Sequence, residues 1–158
     1  MMNDELSLGE AREIIGRALE KSAEVNWISA YAVADSGGNL ISLSRLDGAP
    51  AVAVPLARAK AYLAALRGRA SYPLELEIET HPLRFHGYQS ILPRALFAGP
   101  GAVSITRNGR IIGGFSSSTT YSASAMKIVI DGVQYSREEV VTAHALNIPY
   151  EDQHPDTP

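Results

Sequence analysis

Two tight-turn sequences, each lying between short apolar runs, constrain the fold of this chain more than any other feature. The first turn, Asp35 to Asn39, contains Gly37-Gly38, which can supply the positive φ values that a tight turn needs. The second turn is Asn108-Gly109, the strongest short-range signature of a β-hairpin. Each turn therefore predicts an antiparallel hairpin, with strands over 28–34 and 40–46 in the first case and within 102–116 in the second.

Helices are predicted before, between and after these hairpins. Ser7-Leu8-Gly9-Glu10 and Ser136-Arg137-Glu138-Glu139 are capping boxes, in which a serine hydroxyl and a glutamate satisfy amides of the first helical turn. Apolar residues at steps of three and four carry the first helix to about Ala23. The last helix should cover 137–146, and Pro55 fits the first turn of a middle helix that runs over 56–67.

The remaining segments carry weaker patterns. Short helical turns are predicted over 74–79 and 82–90, inside an irregular link that ends at Gly99. The polar tract from Ser116 to Ser122 is predicted to be a loop, and the segment 123–130 to be either a helix or a buried strand, ended by Gly132.

This order of elements predicts an α+β fold with a single antiparallel sheet. Short strands bury a face only when helices pack on it, so a sheet built from two hairpins should be flanked by the helices. A chain of 158 residues suits one domain. We assign that domain, with its last helix, to residues 1–148 and a polar tail to 149–158.

Composition excludes several classes of function. The chain has no cysteine, so thiolate catalysis, zinc-thiolate sites and iron-sulfur clusters are ruled out. A net charge of -3 gives no reason to expect nucleic acid as a partner. No run approaches the roughly 20 apolar residues of a membrane span. The acidic start of the chain does not have the pattern of a signal peptide, so a cytoplasmic location is predicted.

Five short motifs in a fixed order resemble the GlcG/HbpS family of haem-binding or haem-degrading proteins, which includes the C-terminal part of PduO. The resemblance covers roughly 6–132 and implies a profilin-like antiparallel sheet, assembly into homo-oligomers and haem as a cofactor. Members of this family lie in catabolic gene clusters. The motifs are Asp35-Ser36-Gly37-Gly38, Arg45-Leu46-Asp47-Gly48-Ala49, Ala57-Arg58-Ala59-Lys60-Ala61, Gly99-Pro100-Gly101, and Asn108-Gly109 with Ile112-Gly113-Gly114.

The irregular link carries the first group of candidate site residues. His81 or His86 could ligate haem iron, and His86 could instead act as a general base. Arg84 and Tyr88 lie between and beyond them and could contact the same ligand. The alternative is structural: His81 precedes Pro82 in a turn, and His86 is a surface residue.

Arg45, Asp47 and Lys60 form the second candidate group. The guanidinium of Arg45 fits a carboxylate and Lys60 adds a point charge, so the two could hold a haem propionate or a small organic acid. Asp47 could accept a hydrogen bond from a ligand or act as a base. The alternative is that Arg45 and Asp47 only stabilise the loop, as Asp before Gly often does.

Three functions remain open on the sequence. The first is a haem-binding or haem-handling protein of the GlcG/HbpS type. The second is a small-molecule catabolic enzyme, an isomerase, lyase or hydrolase, that acts on an acidic organic substrate with Asp47 or His86 as the base. The third is a non-enzymatic oligomeric sensing module.

Overall fold

The computed structural model describes residues 4–68, 78–119 and 127–149. Its elements are α1 (Leu8–Val25), β1 (Ala30–Asp35), β2 (Leu40–Arg45), α2 (Ala53–Arg67), α3 (Pro82–Ile91), β3 (Ala102–Arg107), β4 (Arg110–Ser118), β5 (Lys127–Ile130), β6 (Val133–Ser136) and α4 (Arg137–Leu146). No helix within those residues is both long and apolar enough to cross a membrane.

The two predicted hairpins join into one antiparallel sheet with strand order β2-β1-β4-β3. The two hairpins meet through β1 and β4, which are the central strands. In β1, Ala30 pairs with Arg45 of β2 on one side and with Ser118 of β4 on the other. Helices pack on both faces of the sheet. The predicted α+β fold, with a sheet made from two hairpins and flanked by helices, is confirmed.

The turns explain why both hairpins form. Asn108 and Gly109 have φ values of 51° and 74°, the left-handed pair that a two-residue hairpin turn needs. In the first turn only Gly38 has a positive φ, of 78°. The prediction that Gly37 also supplies one was wrong, because hydrogen bonds to the Asp35 carboxylate hold this turn instead.

The side chains of β1 alternate between the two faces of the sheet. Tyr31 and Val33 point to one side and pack with Phe115 against α1 in the main hydrophobic core. On the opposite face β1 carries only small side chains: Ala30, Ala32 and Ala34 pack against Ala53, Ala57 and Ala61 of α2. These small residues let α2 approach the sheet closely.

Both capping boxes and the last helix lie where they were predicted, and α4 packs against α1. The loop predicted from Ser116 onward was wrong for Ser116 to Ser118, which end β4 as buried residues. Their polarity misled the prediction, because the Ser116 and Ser117 hydroxyls are satisfied inside the fold. Residues 127–130 form strand β5, which pairs with β6 in a separate two-stranded sheet, so the prediction of a single sheet was wrong at this point. The predicted elements or tails over 74–77, 120–126 and 150–158 lie outside the described residues.

Candidate functional site

A cavity of about 460 Å³ opens between the turn of the first hairpin, α2 and the segment that follows α3. This volume lies within the range of small-molecule binding sites, roughly 300–1,000 Å³. Gly38 to Leu40 form one wall, Arg58 and Tyr62 of α2 form the second, and Arg94 closes the third.

The first hairpin turn fixes the position of Tyr62. Asp35 Oδ1 accepts hydrogen bonds from the amides of Gly37 and Asn39, at 2.9 and 2.8 Å. A Cβ on Gly38 would lie 2.0 Å from Cδ2 of Tyr62. The turn therefore needs glycine at position 38 twice over, for its positive φ and for the aromatic ring that packs against it.

Arg94 is bound to this turn although it lies more than fifty residues away. Its guanidinium donates to the Gly38 carbonyl at 2.5 Å and to Asn39 Oδ1 at 2.6 Å. The same group lies over the Tyr62 ring, 5.4 Å from its centroid, in a cation–π contact. The positive charge is thus held at the cavity by three protein contacts.

Arg58 adds a second positive charge to the cavity. It lies one helical turn before Tyr62 on the same stripe of α2 and is exposed. Within the described part of the chain, Arg58 makes no hydrogen bond or ion pair. No aspartate or glutamate is among the described lining residues, so the cavity combines two guanidinium groups with a largely apolar wall.

Lys60, predicted from the sequence to hold a ligand carboxylate, is buried instead. Its Nζ donates to Pro100 O at 2.6 Å, Ser117 O at 2.5 Å and Glu138 Oε1 at 2.7 Å. Only 2% of Lys60 and 3% of Glu138 are exposed. These three bonds use all three N–H donors of the ammonium group, so the structure gives Lys60 a role in joining α2, β4 and α4.

Arg45 and Asp47 are exposed at the end of β2 and in the loop after it. The cavity lies beside the other end of that strand, at Leu40. Arg45 lies five residue steps of extended chain beyond Leu40, roughly 17 Å. Arg45 and Asp47 therefore lie at the surface away from the cavity, while Lys60 is buried with all three donors used, so the three do not form one binding group.

The link residues fall on α3, whose two faces differ. Tyr88 is half-buried, packs with Tyr62 and Leu63, and accepts a hydrogen bond from Arg67 at 3.0 Å. His81 occupies the N-cap position without a side-chain capping bond, and its Nδ1 lies 3.0 Å from Thr80 Oγ1. Arg84 and His86 are exposed. The predicted helical turn over 82–90 is therefore a full helix, and Tyr88 anchors it to α2.

The outward face of α3 is unusually apolar around His86. Leu83 is 84% exposed and Ile91 is 76% exposed. Gly87 has no atom within 4 Å of where a Cβ would stand, so the space beside His86 is open. Because residues three and four apart share a helical face, Leu83, His86 and Gly87 form one continuous surface. We call these residues, with Ile91, the α3 outward face.

Arg58, Tyr62 and Glu138 were not among the site residues predicted from the sequence. A signal existed for the first two, since Pro55, Arg58 and Tyr62 recur at helical spacing with a cation and an aromatic ring on one stripe. Glu138 gave no such signal, because it appeared only as part of a capping box and its partner lies 78 residues away.

Known proteins similar to this chain share its fold and part of its sequence. A family model described as haem degrading protein HbpS-like matches residues 6–134. Protein GlcG of Escherichia coli K12 is 32% identical over 108 residues, which cover 68% of this chain and 77% of that protein.

Two solved structures extend the likeness over nearly the whole chain. The PduOC complex with haem superposes with a TM-score of 0.70 at 20% identity and covers 90% of this chain and 94% of the other. A double mutant of HbpS from Streptomyces reticuli gives a TM-score of 0.72 at 20% identity and covers 93% and 88%. At these identities the superpositions show a common fold.

Proposed function

Because this chain belongs to the HbpS-like family of haem degrading proteins, we propose that it binds and handles haem. Family membership is the observation that carries the proposal, and it confirms the family predicted from the sequence. A similar fold has been solved as a haem complex for PduOC, which supports the same ligand here.

The α3 outward face fits one side of a porphyrin better than the other predicted sites do. Leu83 and Ile91 supply exposed apolar contacts for the macrocycle, and Gly87 leaves room for a flat ring beside His86. A neutral imidazole is a common axial ligand of haem iron. When bound, haem would supply the redox-active iron, and His86 would hold it.

His81 is the second candidate ligand for the iron. Its Nδ1 is engaged by Thr80, which leaves Nε2 as the nitrogen that can bind iron. Arg84 lies on the same helix and is exposed, so it is our candidate for contact with a haem propionate. Lys60 is not included, because its three donors are used inside the protein.

A haemin titration followed by visible absorption tests this proposal. We expect saturable binding with a shift of the Soret band, lost in the double variant His81→Ala, His86→Ala. His144→Ala is the matched control, since His144 is half-buried on α4 and belongs to neither candidate group. No Soret shift in the unmodified protein, or an identical shift in the double variant, would contradict the proposal.

We also propose that the protein works in the cytoplasm as a homo-oligomer. Support for assembly comes from β2 and β3, which lie at the edges of the four-stranded sheet and could pair with another copy. Light scattering coupled to size-exclusion chromatography measures the subunit number directly. A mass equal to one chain at all concentrations would contradict the homo-oligomer.

A further inference from the structure

We propose that the cavity between the first hairpin and α2 binds a small organic anion, a carboxylate carried on a compact apolar body. Arg58 and Arg94 would hold the carboxylate, and the wall around Tyr62 would contact the apolar part. The proposal is independent of haem binding, because none of the four residues of the α3 outward face lines this cavity.

The charges of the cavity point to an anion. Two guanidinium groups line it, and no carboxylate is among the described residues of its wall. Two like charges facing one concave space repel each other, and a bound anion relieves that repulsion. Arginine presents parallel N–H donors whose geometry matches a carboxylate, so each side chain could donate two hydrogen bonds to it.

The donors of Arg94 are not exhausted by its protein contacts. A guanidinium has five N–H groups, and two of them bond Gly38 O and Asn39 Oδ1. These two hydrogen bonds also fix the position of the guanidinium group, and with it the direction of its remaining N–H groups. Asn39 is itself held, because its side-chain nitrogen donates to both oxygens of Asp35, at 3.2 and 3.0 Å. Asp35 thus acts as a positioning residue, through Asn39, for Arg94.

Such prior ordering favours binding. A side chain that is already immobilised loses little conformational entropy when it meets a ligand. Arg58 is the adaptable partner, since it is exposed and has no bond among the described residues. One fixed and one adjustable cation suit a carboxylate that enters from solvent.

The rest of the wall selects an apolar body. Ala34, Leu40, Pro55 and Ala59 contribute small hydrocarbon surfaces, and the Tyr62 ring lies beside them. Leu40 remains 43% exposed although it is a large apolar residue at the start of β2. Covering it with a hydrocarbon group would add stabilisation through burial of apolar surface. Inorganic anions offer no such contact.

The test is a titration of the isotope-labelled protein with benzoate, followed by amide chemical shifts in NMR spectra. We expect saturable shifts centred on Gly38 and Asn39. Benzamide, the neutral analogue of the same shape, should bind at least about tenfold more weakly, because it lacks the charge that strengthens hydrogen bonds to arginine. Inorganic phosphate should also bind more weakly than benzoate.

Arg58→Gln is the informative variant, since its side chain supports no other described group. It should weaken benzoate binding about tenfold or more. The matched control is Arg12→Gln, an exposed arginine of α1, which packs on the opposite face of the sheet. Equal affinity of Arg58→Gln and Arg12→Gln for benzoate would overturn the proposal, as would benzamide binding as tightly as benzoate.

A parallel haemin titration shows whether the carboxylate that the cavity binds belongs to a free acid or to a haem propionate. Haemin affinity should be the same in Arg58→Gln and in the unmodified protein. Loss of haemin binding in Arg58→Gln, together with no binding of benzoate, would assign the cavity to a propionate and overturn the small-acid site. Failure of haem binding alone would leave the benzoate result intact, so the two proposals fail separately.

Discussion

Replacing Lys60 with methionine tests whether the buried ion pair holds the helices onto the sheet. The side chain of methionine is similar in length and apolar, so the packing around the stem is largely kept while the ammonium group is lost. Glu138 then loses the ammonium group that lies 2.7 Å from its carboxylate, in a site where only 4% of its side chain is exposed. The carbonyls of Pro100 and Ser117 each lose a donor as well.

The expected loss of stability is large. Removing one partner of a buried ion pair costs about 3–5 kcal/mol, because the remaining charge stays buried without its opposite charge. For a domain whose total stability is about 5–15 kcal/mol, that is a major fraction. With a urea slope of about 2 kcal/mol per molar, the unfolding midpoint should fall by about 1.5–2.5 M.

Urea unfolding can be followed by the fluorescence of Trp27, the single tryptophan, which is 1% exposed. The matched control is Lys21→Met, which breaks the Lys21–Glu24 ion pair on the surface. Its N–O distance, 2.8 Å, is close to the 2.7 Å of the buried pair. Exposed pairs contribute about 0–1 kcal/mol, so the midpoint should barely move. Equal shifts in Lys60→Met and Lys21→Met would show that the buried pair contributes no more to stability than the surface pair.

Two further predictions concern stability. Gly38→Ala should be more destabilising than Gly109→Ala. Both glycines have φ near +75°, but a Cβ at position 38 meets Tyr62, whereas nothing lies within 4 Å of a Cβ at position 109. Equal unfolding midpoints in urea would contradict this prediction. Burial raises the pKa of Tyr31 to about 12, while hydrogen bonds from Ser22 and Ser29 oppose the shift. In the folded state Tyr31 therefore stays protonated to a higher pH than in the unfolded state. Its contribution to the free energy of unfolding is fully present below pH 10, and it falls by about 2–3 kcal/mol as the pH rises to 12. Unfolding curves of Tyr31→Phe should lack that part of the fall, and an unchanged alkaline dependence would count against it.

The backbone of the fold could be predicted because its signals are local. Hairpin turns, capping boxes and helical stripes each lie within a few residues, and they predicted the two hairpins of the main sheet and the bounds of α4, but not the β5–β6 hairpin. Ser116 to Ser118 were misassigned for a physical reason. A serine is polar by composition, but its hydroxyl can bond a carbonyl inside the core, as Ser116 does with Ala57.

The candidate site was much less predictable, because its contacts join distant segments. Arg94 meets Gly38 across 56 residues, and Lys60 meets Glu138 across 78. The motif that contains Lys60 was recognised, but its surroundings were not. Lys60 was predicted to contact a ligand, whereas in the structure it is buried and bonds other parts of the protein. No local spacing encodes which cation becomes buried and which, like Arg58, stays at the surface.

The most direct test of the haem proposal is a crystal structure of the protein loaded with haemin. We expect iron bound to an imidazole nitrogen of His86, or of His81, with the porphyrin against Leu83 and Gly87. Iron ligated elsewhere, with the α3 outward face uncovered, would contradict it.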